Sequence, residues 1–173
     1  LALLLILGHD NVTKAISLTI YGLSLILMFS ASSAYHLATA SPKVISVLRK
    51  IDHSAIYVLI AGSYTPICIN FFNGFWQWGL LAIVWSMAIV GVITKIFFIN
   101  APRWISAGIY LIMGWLSVVA LPEMMTHMPR NALLGLLFGG IFFTLGAIVY
   151  VLKKPDIKPG FFGFHEIWHI FVI

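Results

Sequence analysis

Charged residues are scarce in this chain. Only 9% of its 173 residues are Asp, Glu, Lys or Arg, whereas 61% are hydrophobic. Soluble domains carry about a quarter charged residues, so this composition excludes an ordinary soluble globular domain. The mean hydropathy of +1.04 agrees. Together these values predict an all-α, polytopic membrane protein, in which the lipid bilayer is the main solvent.

Cysteine and acidic residues are also few. Cys68 is the single cysteine, so no disulfide framework can form within the chain. Five Asp and Glu stand against ten Lys and Arg, which leaves a formal net charge of +5. In a membrane chain, basic residues near the ends of spans act as topology determinants. We therefore expect membrane lipids, and not nucleic acid, as the partners of this protein; protein partners cannot be inferred.

The apolar segments predict a seven-helix transmembrane bundle, and we treat residues 1–173 as a single domain. Leu1–Leu7 is predicted to end a first span, and Phe161–Ile173 to begin a seventh. A crossing takes about 20 residues, so both terminal helices are expected to be truncated in this chain. The five complete predicted spans are Ala15–Ala38, Asp52–Phe72, Phe75–Phe98, Trp104–Leu121 and Ala132–Leu152. Asn73-Gly74, between the second and third of these, is predicted to form a tight turn.

Basic residues are concentrated in alternate connections between these spans. The predicted loop Ser41–Ile51 contains three, and the predicted loop Lys153–Gly160 contains three more. Between them, Arg103 lies in the turn before Trp104, with Lys95 close by. The predicted loop Pro122–Asn131 on the opposite side has one basic residue. Because cytoplasmic loops are enriched in Lys and Arg, this pattern predicts a cytoplasmic N-terminus.

Two histidines near the end of the chain are spaced for metal binding. His165 and His169 are four residues apart, which places both imidazoles on one helical face. His36, near the end of the second predicted span, is expected at similar depth. Three imidazoles with one open position are typical of a catalytic zinc site. We predict His36, His165 and His169 as Zn²⁺ ligands.

Asp52 and Ser32 complete the predicted site. Asp52 opens the third predicted span, and Ser32 lies one helical turn before His36. Asp52 would supply negative charge and act as a general base, while Ser32 would hydrogen-bond to a water or to a developing oxyanion. Two simpler interpretations stay open: Asp52 as a helix N-cap, and His36 as an interfacial or backbone-bonded histidine. His53, beside Asp52 in the sequence, would either support the site or lie in the loop.

A second zinc pattern overlaps the first. The segment from His165 to His169 matches H-E-x-x-H, in which Glu166 would be the base of a metalloprotease. Five residues are a weak match, and this reading leaves His36 and Asp52 without a role. We therefore favour the three-histidine site.

These motifs resemble those of the progestin and adipoQ receptor family. They are Ser32-x-x-x-His36, the segment from Asp52 to Tyr57 followed by Gly62-Ser-Tyr-Thr-Pro66, and His165-x-x-x-His169. The bacterial hemolysin III branch is most similar, and the family includes adiponectin receptors, which are linked to ceramide hydrolysis. The wider superfamily also includes alkaline ceramidases.

The resemblance implies seven helices with an internal N-terminus and a zinc ion held by His36, His165 and His169. It also implies Asp52 near the zinc-bound water, Ser32 beside the first ligand, and a location in a bacterial inner (plasma) membrane. We expect a zinc-dependent hydrolase of a lipid amide or ester, involved in membrane-lipid homeostasis. The alternatives are a non-enzymatic sensor or receptor with a structural zinc, and a pore-forming cytolysin.

Overall fold

All regular secondary structure in the described part of the molecule is helical. The computed structural model describes residues 11–99 and 102–152, together with Lys154, Ile167 and Phe171. The helices are α1 (Val12–Leu37), α2 (Pro42–Phe71), α3 (Gly74–Phe97), α4 (Arg103–Trp115), α5 (Leu121–His127) and α6 (Arg130–Leu152), and a 3₁₀ segment, Leu116–Ala120, joins α4 to α5. Within these ranges the all-α prediction is confirmed.

Five stretches are long and apolar enough to cross a membrane. They are Val12–Leu37, Pro42–Phe71, Gly74–Phe97, Trp104–His127 and Arg130–Leu152. These stretches correspond to the second to sixth predicted spans. The predicted first span, and the seventh apart from the helical Ile167 and Phe171, lie outside the described residues. The count of seven spans and the cytoplasmic N-terminus therefore stay predictions.

The prediction of a loop over Ser41–Ile51 is wrong. Helix α2 begins at Pro42 and continues for 30 residues. Proline is favourable in the first helical turn, where its missing N–H has no helical partner, and Lys and Arg are good helix formers. A 30-residue helix is about 45 Å long, against about 30 Å of hydrocarbon. The basic Pro42 end of α2 therefore extends beyond the apolar part of the span.

The prediction of a loop over Pro122–Asn131 is also wrong for most of its length. Helix α5 covers Leu121–His127 and has a proline in its first turn. The His127 imidazole contacts the Glu123 carboxylate at 3.3 Å across one helical turn. The non-helical connection is only Met128 and Pro129, before α6 begins.

The helix ends are defined by their local sequence. Asn11 caps α1, because its side-chain oxygen accepts a hydrogen bond from the Lys14 backbone N–H at 3.1 Å. Between α2 and α3, Gly74 has a φ of +56°, in the left-handed region that glycine adopts without a steric cost. The predicted tight turn at Asn73-Gly74 is thereby confirmed.

The helices group into two compact units. One consists of α1, α2 and α3, and the other of α4, α5 and α6. In the second unit, the Trp115 indole N–H donates to Thr144 Oγ1 at 2.9 Å and so joins α4 to α6. The Phe142 ring also lies 6.0 Å from that of Phe171. The assignment of residues 1–173 to a single domain stays a prediction.

Most of α6 exposes apolar side chains. Only 11% of its apolar 18-residue stretch is buried, which suits a helix that faces lipid. The exposed large residues include Leu134, Leu137, Phe138, Ile141, Phe142 and Leu145.

Candidate functional site

Helices α1 and α2 pack antiparallel with a regular register. Asn70 Nδ2 donates to Ser17 Oγ at 3.0 Å near one end of the pair. Gly62 lies against Ser24 near the middle. Ala55 then packs with Met28 and Ala31 in one buried cluster. The contacts are thus spaced about seven residues apart on α1 and seven or eight apart on α2. This regular spacing predicts which residues of the two helices face each other towards the end of α1.

Asp52 follows this register to the end of the α1–α2 seam. It precedes Ala55 by three residues, so both lie on the helical face that packs against α1. The register places Asp52 level with Ala34, between Ser32 and His36 on α1, and about 3 Å along the axis from each. Asp52 is only 7% exposed, and its Oδ1 is buried with no hydrogen-bond partner.

The interpretation of Asp52 as a helix N-cap is wrong. The N-cap of α2 is Ser41, and Asp52 lies eleven residues further along, well inside the helix. Helix capping therefore does not explain why the Asp52 carboxylate is buried in the helix interior. A buried, ionisable group with an unsatisfied oxygen is costly, and in membrane helices such groups are usually functional.

Ser32 and His36 lie one turn apart at the same end of α1. Ser32 is buried at 7% exposure, directly after Ala31 of the interhelical cluster. His36 is exposed, in the last turn of the helix, and its ring lies 4.7 Å from the Tyr35 ring. Positions i and i+4 share a helical face, so His36 lies on the same face of α1 as the buried Ser32.

His53 connects the carboxylate to the backbone of its own helix. His53 Nδ1 lies 2.9 Å from the Arg49 carbonyl oxygen and 3.3 Å from Asp52 Oδ2. The contact with Arg49 orients the imidazole, which in turn sits beside one carboxylate oxygen. Asp52 Oδ1 is thereby left as the acceptor available to another group. Sequence reasoning placed His53 only as a possible supporting residue.

The predicted ligands His165 and His169, and Glu166 of the alternative motif, lie outside the described residues. Within residues 11–99 and 102–152, no group of three or more His, Cys, Asp or Glu side chains is close enough to hold a metal ion. The three-histidine site, and the roles of Ser32 and Asp52 in it, therefore stay predictions.

Sequence reasoning did not predict the burial of two polar groups, the Lys95 side chain and the Ser54 hydroxyl. Lys95 was taken only as a topology signal, but its side chain is 3% exposed. Ser54 Oγ is buried without a hydrogen-bond partner. The signal for Lys95 was its position, two residues before the end of an apolar helix and not in a loop. Ser54 lies inside the motif from Asp52 to Tyr57, but nothing in that motif indicates that its hydroxyl is buried.

The fold and this site define a class of protein. The chain is a helical integral membrane protein with a buried carboxylate and a buried serine between its first two described helices. A family model described as "Haemolysin-III related" matches residues 1–173, the whole chain. The chain therefore belongs to the haemolysin-III-related family, which is part of the progestin and adipoQ receptor group.

Curated relatives agree with this assignment. The chain is 39% identical to "Hemolysin-3" of Bacillus cereus over 167 residues, which cover 95% of this chain and 72% of that protein. It is also 39% identical to "Hemolysin-3 homolog" of Bacillus subtilis (strain 168), over 96% of this chain and 75% of the relative. A more distant relative is "Adiponectin receptor protein" of Drosophila melanogaster, 28% identical over 86% of this chain and 37% of the relative.

Proposed function

We propose that this protein is an integral-membrane, zinc-dependent hydrolase of a lipid amide or ester, acting in membrane-lipid homeostasis. The observation that carries the proposal is Asp52 Oδ1, a buried carboxylate oxygen without a hydrogen-bond partner. It lies at the level of Ser32 and His36 on the neighbouring helix. The chain's place among bacterial haemolysin-III-type proteins supports a site in the bacterial inner membrane.

The proposed ligand set and the buried Asp52 carboxylate would suit a zinc ion. Three neutral imidazoles leave a charge of +2 uncompensated, and a buried carboxylate next to such a site offsets part of it. His36 would contribute one imidazole from α1, while His165 and His169 would contribute the other two. When bound, the zinc ion supplies Lewis acidity towards a carbonyl oxygen and towards water.

The protein's own groups have distinct tasks in this proposal. Asp52 Oδ1 accepts the proton of the attacking water, because it is the carboxylate oxygen that His53 leaves unoccupied. The Ser32 hydroxyl donates a hydrogen bond to the oxygen on which negative charge develops. Burial of both groups excludes bulk water and strengthens these interactions.

Metal content and turnover test the proposal together. About one zinc per chain is expected in the purified protein, and it should be lost in His36→Ala and His169→Ala but retained in His127→Ala. Asp52→Asn should retain zinc and fold while fatty-acid release falls by about 10² to 10⁴, the usual contribution of a general base. Glu123→Gln is the matched carboxylate control. Folded protein without metal, or full turnover in Asp52→Asn, would refute the hydrolase.

A membrane receptor or sensor with a structural zinc is the second candidate. Similarity to a protein named adiponectin receptor favours it. In that case Asp52→Asn leaves the biological activity intact, whereas His36→Ala destroys it by destabilising the fold. The two candidates therefore give opposite results for the same pair of variants.

A further inference from the structure

Methionine is concentrated at the end of α5. The chain has six methionines, and three of them, Met124, Met125 and Met128, lie within one short stretch. Met124 and Met128 are 5% and 8% exposed, whereas Met125 is 68% exposed. Leucine fills apolar space about as well as methionine and is the commoner residue in this chain. The concentration therefore favours a role for the thioether sulfurs themselves, in addition to packing.

An imidazole lies on the same face of the helix as the two buried sulfurs. Met124, His127 and Met128 occupy positions i, i+3 and i+4, which are neighbours on a helix surface. The helical pattern extends as far as Met128, because its N–H donates to the Met124 carbonyl oxygen at 2.9 Å. Met125 lies about 160° from His127 around the helix axis. Two sulfurs and one nitrogen can therefore approach a single ion, and the third sulfur faces away from the imidazole.

Glu123 orients the His127 ring. His127 Nδ1 lies 3.3 Å from Glu123 Oε1 and 3.2 Å from the Glu123 backbone carbonyl oxygen. A carbonyl oxygen and an ionised carboxylate only accept hydrogen bonds, so Nδ1 of the neutral imidazole carries the proton and Nε2 has the lone pair. Histidines that bind metal ions usually donate from their second ring nitrogen in this way. The His127 side chain is 39% exposed, so an ion can reach it from water.

We propose that Met124, His127 and Met128 form a binding site for Cu(I) at the end of α5. Thioether sulfur selects Cu(I) among the common metal ions, and imidazole also suits copper. All three ligands are neutral, so the bound site has a charge of only +1, which the Glu123 carboxylate offsets. Zn²⁺ prefers thiolate, imidazole and carboxylate ligands, and thioethers are not among them. The proposal uses none of the zinc ligands proposed above and is independent of the hydrolase.

Copper binding by the purified full chain tests the proposal. The protein is kept in detergent under anaerobic, reducing conditions, and a chromophoric Cu(I) chelator competes for the ion and reports Kd. Each titration is done with and without excess Zn²⁺, which occupies sites made only of histidines. We expect about one Cu(I) per chain in both conditions. X-ray absorption at the copper edge should show sulfur as well as nitrogen ligands.

Leucine substitutions separate coordination from packing, because they remove sulfur and nearly conserve volume. Met124→Leu and Met128→Leu should each weaken Cu(I) binding about tenfold or more, with one sulfur fewer in the absorption spectrum. His127→Gln should remove the nitrogen ligand, and Glu123→Ala should weaken binding about tenfold because it releases the ring. Met125→Leu is the matched control, since it makes the same change on the same helix and should leave Kd unchanged.

The variants decide between this site and other modes of binding. Weaker binding in Met124→Leu and Met128→Leu but not in Met125→Leu, at unchanged unfolding temperature, supports the site. Equal losses in Met124→Leu and Met125→Leu would show unspecific binding to methionine and overturn it. Copper that persists in Met124→Leu but disappears in His36→Ala or with excess Zn²⁺ would belong to the histidines proposed for zinc, which also overturns the site. Folded wild-type protein that binds no Cu(I) would refute it outright.

Discussion

The close approach of α1 and α2 at Gly62 allows a sharp prediction. A Cβ added at Gly62 would lie 2.7 Å from Ser24 Cβ and still closer to Ser24 Oγ. Neither atom can move far, because Ser24 is buried and its hydroxyl donates to the Tyr21 carbonyl at 2.7 Å. Gly62→Ala must therefore push the two helices apart or distort them.

Two opposing terms set the magnitude. Replacing glycine by alanine inside a helix favours folding by about 1 kcal/mol. Overpacking a buried contact costs about 1–3 kcal/mol. Gly135→Ala is the matched control, because an added Cβ there has no atom within 4 Å. The propensity term cancels between the two variants, so Gly62→Ala should be about 1–3 kcal/mol less stable than Gly135→Ala.

Unfolding of purified protein in detergent micelles measures this difference, and substitutions at Ser24 show its cause. Ser24→Gly removes both clashing atoms and should restore Gly62→Ala, whereas Ser24→Ala leaves the Cβ in place and should restore it only in part. A double-mutant cycle isolates the coupling from the lost hydroxyl bond. Equal stability of Gly62→Ala and Gly135→Ala, or full rescue by Ser24→Ala, would refute the packing argument.

Two interhelical hydrogen bonds give further predictions. Asn70→Leu should destabilise the packing of α1 on α2, because the Asn70 amide donates to Ser17 Oγ at 3.0 Å. A double-mutant cycle with Ser17→Ala should give a coupling energy of about 0.6 kcal/mol. A coupling energy of zero would contradict this hydrogen bond. Trp115→Phe should cost about 1 kcal/mol through loss of the 2.9 Å bond to Thr144 Oγ1. Thr144→Val also removes the 2.7 Å bond from Thr144 Oγ1 to the Gly140 carbonyl, so it should cost at least as much as Trp115→Phe. The double variant should lose less than the sum of the two single losses, and additive losses would contradict the assignment.

Hydropathy located the spans but not the ends of the helices. The predicted turn at Asn73-Gly74 is confirmed, because Asn and Gly disfavour both helix and strand interiors. The predicted loop Ser41–Ile51 is helical, because hydropathy marks where a segment becomes apolar and not where hydrogen bonding begins. Lys and Arg extend a helix into the headgroup region without difficulty.

The candidate site was predictable only in outline. The sequence placed Ser32, His36 and Asp52 near one level of the bilayer, from the charge bias and span order alone. Asp52 Oδ1 is buried and has no hydrogen-bond partner because of the face that α2 turns towards α1. The sequence alone does not specify that face. The buried Lys95 was missed for the same reason: near a span end, a lysine normally extends towards water.

Local sequence features establish that this chain is a helical membrane protein, which segments are apolar enough to cross the bilayer, and to which family the chain belongs. Those properties follow from long apolar stretches and from short motifs, which are local. The tertiary structure alone decided the faces and the register of packing. In lipid, apolar side chains are equally stable facing a neighbour or the bilayer, so hydrophobicity does not select an inner face. That selection came from the fit of Gly62 to Ser24 and of Gly91 to Tyr57, which exists only when the helices are together.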